Sequence, residues 1–227
     1  MTIPSPFQVR PAEPTDADLT FIVSTYDATL PFLASIGNHE QWGSIPFSQR
    51  GDFSTETLTQ LHHSEENRLT DTSHSSGLRI FIVEREYHDE PLDAESSQHL
   101  RIEADGRRYL PVGFAQTREN WVPSYVKSQS HLPIPDIERE EFVYLEVIVT
   151  DSRVGGLRRG AGAALMNGIR EYGRSRGKRA FWVDSWGGSE RRLVRYYENQ
   201  GFKAVGDWSH ERINKSPWLG TLMYIDI

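Results

Sequence analysis

The sequence predicts a mixed α/β sheet held in a single domain spanning 1–227, and three observations predict it. Short β-branched and aromatic runs alternate with amphipathic segments in the order strand, helices, three strands, helix, strand, helix, two strands. The run Phe142–Thr150 (FVYLEVIVT) is apolar on both faces, as a central strand must be. No internal repeat or interdomain linker interrupts the 227 residues, a length that one large domain can bury.

Taken in order, Phe7–Arg10 reads as a short first strand. Thr15-Asp16-Ala17-Asp18 carries cap chemistry for a helix bearing Leu19, Phe21, Ile22 and Tyr26. A second short helix is expected over Leu30–Ile36, ended by Gly37, and His39–Phe47 reads as loop. Thr55–Asn67 is a polar helix containing Leu58 and Leu61. Leu78–Glu84 and Leu110–Thr117 are strands by their β-branched content. The stretches 85–109 and 118–141 lack a clear period and read as insertions, the second as a long proline-containing loop. After Phe142–Thr150 a helix places Leu165, Met166, Ile169 and Tyr172 on one face, with Gly177 as its C-cap. Ala180–Asp184 is a strand. Ser189 is the expected cap of a helix in which Leu193, Tyr196 and Tyr197 share a face and which Gly201 stops. Phe202–Trp208 and Leu219–Ile227 supply the last two strands.

Composition removes several chemistries. There is no cysteine, hence no disulfide framework, zinc–thiolate site or cysteine nucleophile. The opening MTIPSPFQVRPAEPTD has no apolar signal core, and no apolar run approaches about 18 residues, so a soluble, cytoplasmic protein without a membrane partner is expected. His62-His63 are adjacent and lack helical ligand spacing, so no metal site is expected. The net charge of −7 is uneven. Asp151–Lys203 holds 12 Lys/Arg against 5 Asp/Glu, and the remainder holds 13 against 27. The basic segment suits a polyphosphate, and the acidic remainder attracts a cationic partner and repels nucleic acid.

That basic segment begins at a strand, passes through a loop rich in glycine and arginine (DSRVGGLRRGAG) and enters a helix. Such a junction is an anion site: the first helical N–H groups have no intrahelical partner, the dipole adds positive charge, and glycine admits close approach. A phosphate or pyrophosphate is the expected anion. Gly160-Ala161-Gly162 is followed by Ala163-Ala164-Leu165, so the third glycine of a dinucleotide fingerprint is missing. The P-loop and the hydrolase elbow G-x-S-x-G are also absent.

Gly160-x-Gly162 after a strand, with Tyr197-Glu-Asn-Gln-Gly-Phe202 about 35 residues later in the chain, resembles the GCN5-related N-acetyltransferases (GNAT). The likeness runs from Phe142 to Val205. Leu157 stands where the family usually has Gln or Arg, the loop before it is longer, with an extra Gly155-Gly156, and Glu190 stands where Asn is common. The resemblance implies a mostly antiparallel sheet flanked by helices and splayed at its central parallel strands. It also implies acetyl-CoA as cosubstrate and direct transfer to an amine in a ternary complex. Val147, Ile148 and Val149 match the backbone positions along the pantetheine arm, with the Val149 N–H as expected oxyanion donor. Leu157, Arg158, Arg159, Gly160, Ala161, Gly162 and Ala163 would hold the pyrophosphate.

Tyr197 occupies the position of the family's general acid; a core aromatic beside Tyr196 and Leu193 is the competing reading. Glu146 is the lone charge inside FVYLEVIVT, where a carboxylate is costly unless it is paired or faces a wet cleft. It stands as a general base through water, an anchor for a cationic amine, or a structural partner of an arginine. Asp184, Trp186 and Trp42 are the acceptor-site candidates, the first two because ligands collect at the carboxyl ends of strands. The expected activity is N-acetylation of a small-molecule amine. A protein or peptide amine and a non-catalytic acyl-CoA-binding protein remain as alternatives, and a homodimer is left open.

Overall fold

Alternating apolar side chains along most strands, and a continuous apolar run in the fifth, place one eight-stranded sheet at the centre of the computed structural model, which describes residues 5–70, 77–139, 141–212 and 215–227. In chain order the strands are β1 (Phe7–Pro11), β2 (Arg79–Glu86), β3 (Arg101–Ile102), β4 (Arg108–Glu119), β5 (Phe142–Thr150), β6 (Ala180–Trp186), β7 (Lys203–Arg212) and β8 (Lys215–Asp226). They lie in the order β1-β2-β4-β5-β6-β8-β7, with β3 beside β4. Among the described residues only β5 and β6 pair in parallel. The helices are α1 (Asp16–Ser35), α2 (Phe53–Thr70), α3 (Ala94–Ser97), α4 (Ser124–Lys127), α5 (Ala161–Ser175) and α6 (Gly188–Asn199). No helix among the described residues is long and apolar enough to cross a membrane.

The period-two alternation of β5 sorts the core into layers. Val143 and Leu145 face α5 and α6, packing with Leu165, Met166, Ile169 and Val194. Phe142 and Tyr144 face the other way, against Val122, Val126 and Leu132 of the 118–141 stretch and Trp182 and Trp208 of the sheet. Further along that second face, α1 and α2 set Phe21, Ile22 and Leu61 on Ile80, Ile82 and Phe114. The stretch that reads as a featureless loop therefore contributes a buried layer, with α4 inside it.

Several element boundaries differ from the sequence reading. The helix expected over Leu30–Ile36 is the last part of α1, which runs unbroken through Pro31. An interior proline costs about 3 kcal/mol, and burial of Tyr26, Leu30 and Leu33 around it offsets that cost. Thr15 caps α1 as expected, accepting from the Asp18 N–H. Ser189 does not cap α6; it lies at a kink in the first turn, in left-handed backbone with Glu190 and Arg191 (φ 49°, 57° and 59°), and its hydroxyl donates to Asn38 Oδ1 at 2.7 Å. β6 continues two residues past Asp184, because β8 pairs with it as far as Trp186 opposite Gly220. The β7–β8 hairpin is longer than Phe202–Trp208 and Leu219–Ile227, since its polar tip pairs without needing an apolar face.

Candidate active site

The parallel ladder between β5 and β6 holds only from Phe142 opposite Ala180 to Leu145 opposite Val183. Beyond it the two strands part, so Glu146 and Asp184 are the first residues on either side of a fork. The cause is legible in the neighbouring ladder. Gln116 pairs with Val147 and Thr117 with Leu145, which leaves Glu146 as the extra residue of a β-bulge. A bulge bends its strand and raises the local twist, and here it turns β5 away from β6.

The bulge also sets which backbone groups face the opening. Asp151 donates its N–H to Val112 O at 2.9 Å. Antiparallel ladders alternate, so Val149 is committed to β4 and the N–H of Ile148 points to the open side. The expectation that Val149 supplies a free N–H is thereby corrected to Ile148. The carbonyl of Thr150 faces the same side, where the Arg158 guanidinium reaches it at 3.3 Å.

Two adjoining cavities open at the fork, one against the starts of α5 and α6 and one between α1 and α6. One, of about 620 Å³, is lined by Gly155, Gly156, Arg158, Arg159, Gly160, Gly162 and Ala163. The second, of about 360 Å³, reaches past Trp42, Val149, Trp186 and Ser189, and both touch Ile148, Thr150, Arg158, Leu193 and Tyr196. Gly160, at φ 95°, turns the chain into α5 without a capping side chain. A Cβ on Gly162 would lie 2.7 Å from the Tyr196 hydroxyl oxygen, so that phenol hangs over the first turn of the helix. Arg158 lies over the Phe32 ring at 4.5 Å and has no carboxylate partner among the described residues. Of the residues expected here, Ala161 is fully buried beneath the helix, Leu157 packs against the core, and Val147 turns instead to a cavity of about 110 Å³ beside Glu146.

The other face of the fork carries the carboxylates. Glu146 accepts from Gln116 Nε2 and from Arg118 Nε, both at 2.8 Å, and the arginine in turn lies over the Trp121 ring. Asp184 accepts from the Tyr144 hydroxyl at 2.6 Å and from Tyr125 at 3.4 Å. Burial pushes the Asp184 carboxyl up to about 6, against the two tyrosine hydrogen bonds that favour its charged form, and nearby Glu146 pushes in the same direction as burial. Trp186 is buried and donates to Asn38 Oδ1 at 2.8 Å. Trp42 joins an aromatic cluster with Tyr26 and Phe47 as well as lining the smaller fork cavity.

The two tyrosines of α6 divide unexpectedly. Tyr197 is 2% exposed, packs on Phe202, and has no hydrogen-bond partner for its hydroxyl among the described residues. Burial, then Tyr196 and Asp184, push that phenol far up. Tyr196, which sequence reasoning left to the core, lines both cavities. No spacing signal distinguishes it, since consecutive residues of a helix differ only by about 100° in direction.

A family model described as Acetyltransferase (GNAT) family matches residues 59–202. No curated protein matches the chain. Among solved structures it is similar to ribosomal-protein-alanine N-acetyltransferase from Brucella melitensis (17% identity, TM-score 0.53, 97% of this chain and 99% of that one). It is also similar to a GNAT superfamily phosphinothricin acetyltransferase from Sinorhizobium meliloti in complex with acetyl-CoA (13%, 0.56, 98% and 89%). A third is spermidine/spermine N-acetyltransferase from Vibrio cholerae (15%, 0.52, 97% and 92%). At such identities the likeness is one of fold.

Proposed function

We propose, from the premise that the chain belongs to the acetyltransferase (GNAT) family, that it acetylates the amine of a small molecule by direct transfer with both substrates bound. Acetyl-CoA dependence comes with the family. The residues present suit that cosubstrate: an uncapped helix N-terminus, a glycine whose missing Cβ leaves room, and a guanidinium without a carboxylate partner converge on one cavity. When bound, acetyl-CoA supplies an activated thioester acyl group.

The chain's own groups then have distinct tasks. The Ile148 N–H points into the fork and stabilises negative charge that develops on an acyl oxygen there. Asp184, on the opposite face, attracts an ammonium and takes up its proton. Tyr197, a neutral phenol with an open hydrogen bond, gives a proton to the leaving thiolate. Tyr196 packs along the cofactor arm.

A small acceptor is supported by closure of the mouth. Arg212 donates to Glu40 O at 2.9 Å, Ser216 Oγ donates to Glu40 Oε1 at 3.0 Å, and Trp186 and Ser189 both donate to Asn38. The Asn38–Trp42 loop, the β7–β8 hairpin and the start of α6 are thus tied together where an extended peptide would need an open groove. A thiol-release screen with acetyl-CoA over amines, amino acids and peptides tests this. Turnover confined to peptides would reject it, and acetyl-CoA binding without any turnover would leave a binding protein.

The tyrosine assignments predict different kinetics. Tyr197→Phe should lower kcat roughly 10- to 1000-fold with acetyl-CoA affinity retained. Tyr196→Phe should act mainly on the acetyl-CoA KM. The reverse ordering would give the acid role to Tyr196. For Glu146, the Arg118 pair favours the structural partner among its three readings. Glu146→Gln should therefore cost about 1 kcal/mol of stability, read as a Tm lower by a few degrees. Its kcat/KM should fall less than tenfold and alike for all acceptors; rescue at raised pH would instead mark Glu146 as a base.

A further inference from the structure

Among the carboxylates that the fold buries, Asp18, Glu84, Glu119 and Asp151 each meet an arginine or lysine at 2.6 to 3.1 Å. Asp184 does not. Its partners among the described residues are two tyrosine hydroxyls, although it sits at the fork where a substrate must enter. A half-buried carboxylate without a counter-cation is costly, and a ligand ammonium is the group that would complete it.

What lies next to Asp184 limits the rest of that ligand. Tyr125, whose hydroxyl faces the carboxylate, turns its ring the other way, stacked on Trp208 with centroids 5.3 Å apart. Together with His210, Arg212 and Trp218 they enclose a recess of about 230 Å³, one tyrosine's length from the carboxylate. Its walls are aromatic faces, which take flat apolar groups and the rim of a cation. Arg212 is fixed there by Glu40 O and Ser216 O, with its guanidinium 5.6 Å from the Trp218 ring centre. That permanent charge repels a second ammonium.

We infer that the acceptor, on the acetyltransferase reading given above, is a primary monoamine carrying one aromatic-sized apolar group, its ammonium at Asp184 and its ring in the Tyr125–Trp208–Trp218 recess. Polyamines are excluded by Arg212, and short alkylamines leave the recess empty. The groups facing Asp184 are Tyr144 and Glu146 from β5, Tyr125 from α4 and Tyr197 from α6, none of them a cation, so the ammonium meets no competitor there.

The test compares 2-phenylethylamine, n-butylamine and spermidine, by thiol release with acetyl-CoA and by calorimetric titration of the same protein. In the wild type 2-phenylethylamine should lead the other two by at least about tenfold in both kcat/KM and affinity. Trp218→Ala and, separately, Tyr125→Ala should bring the ratio of 2-phenylethylamine to n-butylamine close to one. Equal or inverted ranking in the wild type overturns the inference, as does a ranking that survives both substitutions. If acetyl-CoA binds but no amine releases thiol, the acetyltransferase reading fails, and the calorimetric ranking alone decides the recess. 2-Phenylethylamine first, with the lead lost in both variants, upholds it; any other order refutes it.

Discussion

Asp184→Asn should lower kcat/KM by roughly 10²- to 10⁴-fold, the range of a general base, while making the protein more stable at neutral pH. The two effects share a cause. A carboxyl pushed up to about 6 by burial binds a proton more tightly in the folded chain than in the unfolded one, whose carboxyl titrates near 4. Stability then falls as pH rises from about 4 to 6, because the native state must give up a proton that the unfolded state has already lost. Above pH 6 the penalty is constant and on the order of 3 kcal/mol, and asparagine, which still accepts from Tyr144, removes it. Melting curves should show the variant above the wild type at pH 7 to 8 and level with it near pH 4.

Activity should follow the same group. Wild-type kcat/KM should fall as pH drops through about 6, since protonated Asp184 neither attracts an ammonium nor takes its proton. In water, transfer from an ammonium with pKa near 10 to this carboxyl would be uphill by about 4 pH units. Burial narrows the gap from the other side, by lowering the pKa of an ammonium that leaves solvent. Tyr144→Phe withdraws a hydrogen bond from the carboxylate and should move the acid limb to higher pH. A variant with wild-type kinetics and an unchanged Tm would place Asp184 outside both roles.

Much of this arrangement was legible in the chain, and the parts that were not share a physical reason. The apolar run of β5, the glycines before α5 and the tyrosine before Gly201 are local signals: each depends on residues within one element, so their order alone points to the family. The bulge at Glu146 is not local. It exists because Gln116 and Thr117 of another strand pair on either side of it, a register that no single strand contains. The same holds for the Ile148 N–H, which is free only because Asp151 is tied to Val112. The face proposed for the amine is assembled from residues far apart in the chain, Tyr125, Asp184, Trp208 and Trp218, two of them in stretches without a useful period. Pro31 misled for the opposite reason: a strong local signal was overridden by the packing of Leu30 and Leu33. Which of two adjacent tyrosines faces a cavity depends on how α6 is rotated, and three left-handed residues at its start, held by Asn38 and Asp207, set that rotation.

Gly162→Asp should abolish the stabilisation that acetyl-CoA gives, without weakening the free protein. The substitution acts on both sides of the binding equilibrium in ways that can be separated. In the free chain, Gly162 is the second residue of α5 and has ordinary helical backbone, so a side chain is tolerated. An aspartate in the first turn gains about 0.3–1 kcal/mol from the helix dipole. Removing a helical glycine adds several tenths more, which covers displacement of the Tyr196 hydroxyl from 2.7 Å. The Tm without ligand should therefore be unchanged or slightly raised. In the complex, the same carboxylate stands where a pyrophosphate must come, at the end of the cavity between Arg158, Arg159 and Ala163. Like charges a few ångströms apart in a partly dry site cost about 4 kcal/mol, a loss of roughly 1000-fold in affinity. At a concentration 100 times the wild-type Kd, acetyl-CoA adds about 2.7 kcal/mol to the wild type and next to nothing to the variant. Gly162→Ala supplies the Cβ without the charge and should fall between them, which apportions the effect between crowding of Tyr196 and electrostatic repulsion. A full acetyl-CoA shift in Gly162→Asp would move the phosphate site away from this helix and with it the polarity of the whole fork.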